Sequence, residues 1–88
     1  MKIRTDILLE IEKERTRQIG LPGSEFDSIN TPNDWIAIAS HYLNEEVRRG
    51  MSKPDKNDFV ESLHKAAAII VAALEHVSDM EGHGDFRN

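Results

Sequence analysis

The chain has 88 residues, a formal net charge of −5 and no cysteine. Such a length supports one domain with a modest core, since chains of this size bury little more than about 60% of their unfolded surface. The acidic balance argues against general nucleic-acid binding, which calls for a basic surface, and the missing cysteines exclude disulfides and thiolate metal sites.

A first helix is expected over about 5–19, with Thr5 or Asp6 as its cap and Gly20, Pro22 and Gly23 ending it. Its apolar positions are Ile7, Leu8, Ile11 and Ile19. Helical spacing from Leu8 and Ile11 leads on to Arg15 and Gln18, and from Ile7 and Ile11 to Glu14 and Gln18. The second half of a buried stripe is therefore polar. An inward arginine is costly unless it is paired and hydrogen-bonded. One reading pairs Arg15 with Glu45 or Glu46. The other aims its guanidinium, with Gln18 beside it, at a carboxylate or phosphate from outside. Arg17 falls on the opposite, solvated side.

The connection "GLPGSEFDSIN" (20–30) is long for a helix–helix loop. Either Phe26 and Ile29 pin it to the bundle while Glu25 and Asp27 face water, or Asp27 reaches a ligand or metal near Arg15.

The second helix is expected over 32–49. Thr31 caps it, Pro32 takes the first helical position and Asp34 completes a capping box. Trp35, Ile38, Ala39 and Tyr42 form its stripe, widened by Ile36, Leu43 and Val47, and Arg48, Arg49 and Gly50 make the exit. His41 sits at the stripe's edge, and the Tyr42 hydroxyl needs a partner. Glu45 and Glu46 suit either a hard cation or a solvated face.

The third helix is expected over 55–79, with Asp55 and Asp58 as a second capping box. Val60, Leu63, Ala67, Ile70, Leu74 and Val77 read as its inward stripe. Its middle, "AAAIIVAAL" (66–74), is apolar all round, which calls for burial on every side. Two other helices can hardly supply that, so a homo-oligomer is expected. Residues 80–88 read as a flexible polar tail. The expected fold is all-α: one domain over 1–79, a three-helix antiparallel bundle completed by homo-oligomerisation through the long C-terminal helix. His64, Glu75, His76 and Asp79 show no zinc spacing, and neither a phosphate-cradling glycine loop nor a nucleophile arrangement occurs. No apolar run approaches the roughly 20 residues of a membrane span, and no signal-like stretch opens the chain, so a cytoplasmic location without membrane contact is expected.

Four segments, "IEKERTRQ" (11–18), "GSEFDS" (23–28), "WIAIASHY" (35–42) and "FVESLHKAAAIIVAALEHVSD" (59–79), together resemble a group of small phage and prophage proteins. That group has an I..ER.RQ start, a glycine-bearing loop with an acidic cluster, an alanine-and-tyrosine segment, and a last helix alternating AA with aliphatics. The resemblance covers nearly the whole chain. It departs in the loop, where the group favours a histidine followed by two acids and this chain has Phe26, Asp27 and Ser28. It implies a phage setting, and so the host cytoplasm, more than a particular reaction. A weaker resemblance is to all-α nucleotide pyrophosphohydrolases of the MazG type, which hold magnesium on an E-E-x-x-E followed by an E-x-x-D. Glu45 and Glu46 match the first acids, Arg49 stands at the third, and Glu75 to Asp79 is one residue too long.

The functional expectation is a non-catalytic phage-type protein that sequesters a small anionic, nucleotide-type signalling ligand of host defence, in pockets of a homo-oligomer. Its binding residues would be Arg15, Gln18, Asp27, Trp35, Tyr42 and His41, with no metal or cofactor. The alternative is a magnesium-dependent pyrophosphohydrolase using Glu45, Glu46, Glu75 and Asp79. A further alternative is an adaptor that inhibits a host protein.

Overall fold

The computed structural model describes residues 1–45 and 53–87. Along them run α1 (Arg4–Ile19), a 3-10 helix (Ser24–Ile29), α2 (Pro32–Asn44), α3 (Lys56–Glu75) and α4 (Val77–Gly82), with no strand among the described residues. The chain is all-α. None of these helices is long and apolar enough to cross a membrane.

Helix ends follow local chemistry at two of the three expected starts. Thr31 Oγ1 accepts from the Asp34 N–H at 3.1 Å while Asp34 Oδ2 accepts from the Thr31 N–H at 2.9 Å, a complete capping box. Asp55 caps α3 by accepting from the Asp58 N–H at 3.0 Å. α1 differs, because it begins at Arg4 with Ile3 as its cap. Thr5 and Asp6 lie inside the helix, and Asp6 contributes its charge to the first turn. α2 is described as far as Asn44; Val47 and the expected exit at Arg48, Arg49 and Gly50 lie outside the described residues.

α3 is the central element. It packs against both α1 and α2, which make little contact with each other. Its inward side is not the expected stripe. Ser62, Ala66, Ala68, Ile69 and Ala72 are buried, whereas Val60, Leu63, Ile70 and Leu74 are exposed. The physical reason is size. Alanines let neighbouring backbones approach closely, and Trp35 of α2 fills the remaining space beside Ile69 and Ala72. The bulky aliphatics are left on the other side of the helix.

The expected continuous helix over 55–79 is divided at His76, whose φ of −106° and ψ of 13° leave the helical region. α4 turns back and buries Met80 in the cluster of Trp35, Ile69 and Ala72. Residues 80–82, expected in the tail, are therefore helical. Nothing in the local sequence announces the break: no glycine or proline stands there. The gain is tertiary, because the turn brings one more large side chain onto a small core. Met80→Ala should accordingly lower stability by about 2–5 kcal/mol, read from the urea midpoint; a frayed tail would leave the midpoint unchanged.

Candidate functional site

The polar half of the α1 stripe does point inward. Arg15 and Gln18 are the buried residues of α1, while Ile7, Leu8 and Ile19 are exposed. Arg15 Nε donates to Glu75 Oε1 at 2.7 Å, and its Nη2 donates to Asp27 Oδ2 at 3.4 Å. Its partners are thus the last residue of α3 and the loop acid. They are not the expected second-helix acids: Glu45 is exposed and engaged with His41 at 3.1 Å, and Glu46 lies outside the described residues. The contact to Glu75 has the length of a charge-assisted hydrogen bond, and the one to Asp27 is longer than that range.

Gln18 Nε2 donates to Glu14 Oε2 and to the Lys65 backbone carbonyl, both at 3.2 Å. Glu14 in turn accepts two bonds from Arg17, at 2.8 and 2.6 Å. Arg17, expected free in solvent, is exposed but paired. The Arg17 bonds hold the Glu14 carboxyl below its ordinary value of 4.5.

Of the two courses open to the loop, the structure takes the one that brings Asp27 near Arg15. Phe26 and Ile29 are exposed, and Asp27 turns inward to Arg15. Local bonds impose this course. Gly23 adopts a left-handed φ of 102°, its N–H donates to Glu25 Oε2 at 3.0 Å, and Ser24 Oγ donates to the Ile19 carbonyl at 2.8 Å. The chain then enters the 3-10 helix with Asp27 facing α1.

Between these elements lies a cavity of about 190 Å³, lined by Arg15, Gln18, Asp27, Trp35 and Tyr42, with Ile69 as its apolar contribution from α3 and Leu21 to Ser24 as a wall. Two polar atoms on residues that line it have no hydrogen-bond partner: Gln18 Oε1, an acceptor, and Trp35 Nε1, a donor. Both residues are more than nine-tenths buried, at 7% and 3% exposure. Trp35 is held in place by stacking on His76, with centroids 5.9 Å apart and planes 19° from parallel. Tyr42 is half-buried, with Lys65 Nζ 5.9 Å from its ring centroid.

Five of the six residues expected to bind ligand meet at this cavity. His41 does not. It is exposed, edge-on to Tyr42 at 5.5 Å, and turned towards Glu45. The residues named here as lining the cavity belong to one chain. Its loop wall and Ile69 were not anticipated, although the glycine–proline punctuation at 20–23 was the available signal for a shaped turn.

The described acids of the magnesium alternative, Glu45, Glu75 and Asp79, each have a basic neighbour. Glu75 binds Arg15, Asp79 Oδ2 lies 2.7 Å from His76 Nδ1, and Glu45 binds His41. Among the described residues no three histidine, aspartate or glutamate side chains converge on a common point.

No known protein family, curated protein or solved structure matches this chain. The site's meaning rests on its own geometry.

Two measurements check that geometry. Trp35→Phe should change unfolding free energy by less than about 1 kcal/mol, because the indole N–H makes no bond in the fold, while Trp35→Ala should cost about 3–5 kcal/mol in lost packing. Glu14, whose native pKa is lowered, adds stability that is complete above 4.5 and is lost as pH falls through its lowered value. Glu14→Gln should therefore flatten the acid side of the stability profile followed by circular dichroism.

Proposed function

We propose that this protein is a non-enzymatic binding protein that captures a small nucleotide-type ligand, with a planar heterocycle in the cavity and the anionic part at its mouth. The observation that carries this reading is the pair of orphaned polar atoms. A buried donor or acceptor left unpaired costs about 1–3 kcal/mol. A ligand presenting an acceptor to Trp35 Nε1 and a donor to Gln18 Oε1 would relieve both costs, and the edge of a heterocycle carries such pairs.

Size and charge support the same division of the ligand. The cavity of about 190 Å³ equals roughly six waters at ~30 Å³ each, enough for a ring system and too little for ring, sugar and phosphate together. Arg15 already faces two carboxylates, Asp27 and Glu75, so an anion gains little inside. At the mouth it competes only for the longer Asp27 contact. In the phage setting that the I..ER.RQ pattern implies, such capture would withdraw a nucleotide signal of host defence. An antiparallel three-helix unit completed by a second copy would carry two such cavities.

The test is retention. The protein is incubated with nucleoside triphosphates and cyclic nucleotides in the presence of magnesium, separated from free ligand, and heat-denatured to recover what it held. Intact ligand is expected from the wild type. Trp35→Phe and Gln18→Leu should each lower retention about tenfold or more, one lost hydrogen bond's worth; Arg15→Ala should abolish it, and a loss of helicity in that variant would mark the role of Arg15 as structural. Recovery of a monophosphate would point to the magnesium-dependent hydrolase instead, and absence of retention across the panel would leave the adaptor.

A further inference from the structure

Along α1 and α3, with Ala66 at its floor and Leu43 of α2 at one end, the molecule carries a groove of about 860 Å³ open to solvent. Its walls are Ile7 and Ile11 of α1 and Val60, Leu63, Ala67 and Ile70 of α3. Leu63 and Ile70 remain 41% and 49% exposed. The span from Val60 to Ile70 is about 15 Å at 1.5 Å per helical residue, the length of a helix face rather than of a small ligand.

The surface is also too large for a finished monomer. A 10.0 kDa chain is expected to expose about 5,200 Å² when folded, and this one exposes 6807 Å². The difference of roughly 1,600 Å² is about twice what one partner of a standard interface contributes, ~800 Å². The radius of gyration, 14.7 Å, likewise exceeds the ~12 Å expected for this length.

We infer that the α1–α3 groove is the seat of a second copy of this chain, the two copies packing these faces against each other about a two-fold axis. The rim suits that operation. Lys2 and Lys56 stand on it as cations, while its acids Glu14 and Glu61 are already held by Arg17 and Lys65 of the same chain, so the rim carries both signs and no large field of one sign opposes a second copy. The bulky stripe that α3 turns away from its own core then becomes the core of the dimer. The inference does not depend on the proposed ligand, because Trp35 and Gln18 lie outside the groove.

Native mass and sedimentation measurements on the full chain at micromolar concentration test it. The wild type should have twice the chain mass. Leu63→Glu and Ile70→Glu should be monomeric with an unchanged helical spectrum, and Ile36→Glu, an exposed α2 position outside the groove, should remain dimeric. Should the charged variants lose helicity, Leu63→Ala and Ile70→Ala decide the matter through a dimer dissociation constant raised about tenfold or more. A well-folded wild-type monomer would overturn the inference and leave the groove to a different partner. So would an assembly that the groove substitutions leave intact.

Discussion

One guanidinium organises the molecule. Arg15 reaches from α1 to Glu75 at the end of α3 and to Asp27 in the loop, so three segments distant in sequence share a single charged group. Gln18, one turn further along, adds a bond to the α3 backbone at Lys65. α1 is thus attached by a polar seam at a place where the apolar pattern would have put aliphatics. The geometry restricts where α1 can lie, since a planar donor with two acceptors tolerates little displacement. Glu75 stays half in water, which limits the desolvation such a pair costs.

That seam has a consequence for the apolar residues. Because α1 meets α3 through polar side chains and α2 meets it through alanines, Ile69 and Trp35, most large aliphatics of α1 and α3 are left on the outside. The core proper is small: Trp35, Ile69, Ala72 and Met80, flanked by Ile38, Ala39, Tyr42, Ala73 and Val77. The return of α4 reads as a response to that scarcity. The stretch 66–74 is apolar all round for two different reasons, its alanines and Ile69 serving the chain's own packing while Ile70, Val71 and Leu74 face away.

The same arrangement creates the cavity. Polar residues carried into the interior need partners, and most here find them within the chain. Gln18 Oε1 and Trp35 Nε1 do not, and both belong to residues lining one space. Of the acids cited for a magnesium centre, Glu45, Glu75 and Asp79 each lie against a different basic partner.

Much of the local structure was legible in the residues. Thr31 and Asp34 form their capping box and Asp55 caps α3, because such bonds involve neighbours only. The inward position of Arg15 and Gln18 follows from helical spacing alone. What Arg15 meets does not: Glu75 is 60 residues away, and only the packing of α1 against α3 could choose it over Glu45 or Glu46. The facing of α3 was likewise out of reach. Periodicity marks two stripes on an apolar helix, one of alanines and one of aliphatics, and gives no rule for which is inward until neighbours of definite size approach. The break at His76 and the burial of Met80 depend on a stack with Trp35 and on space in the core, both of which exist only once the chain has folded. Composition and spacing placed the three long helices approximately; the close approach permitted by alanine decided which of their residues face each other.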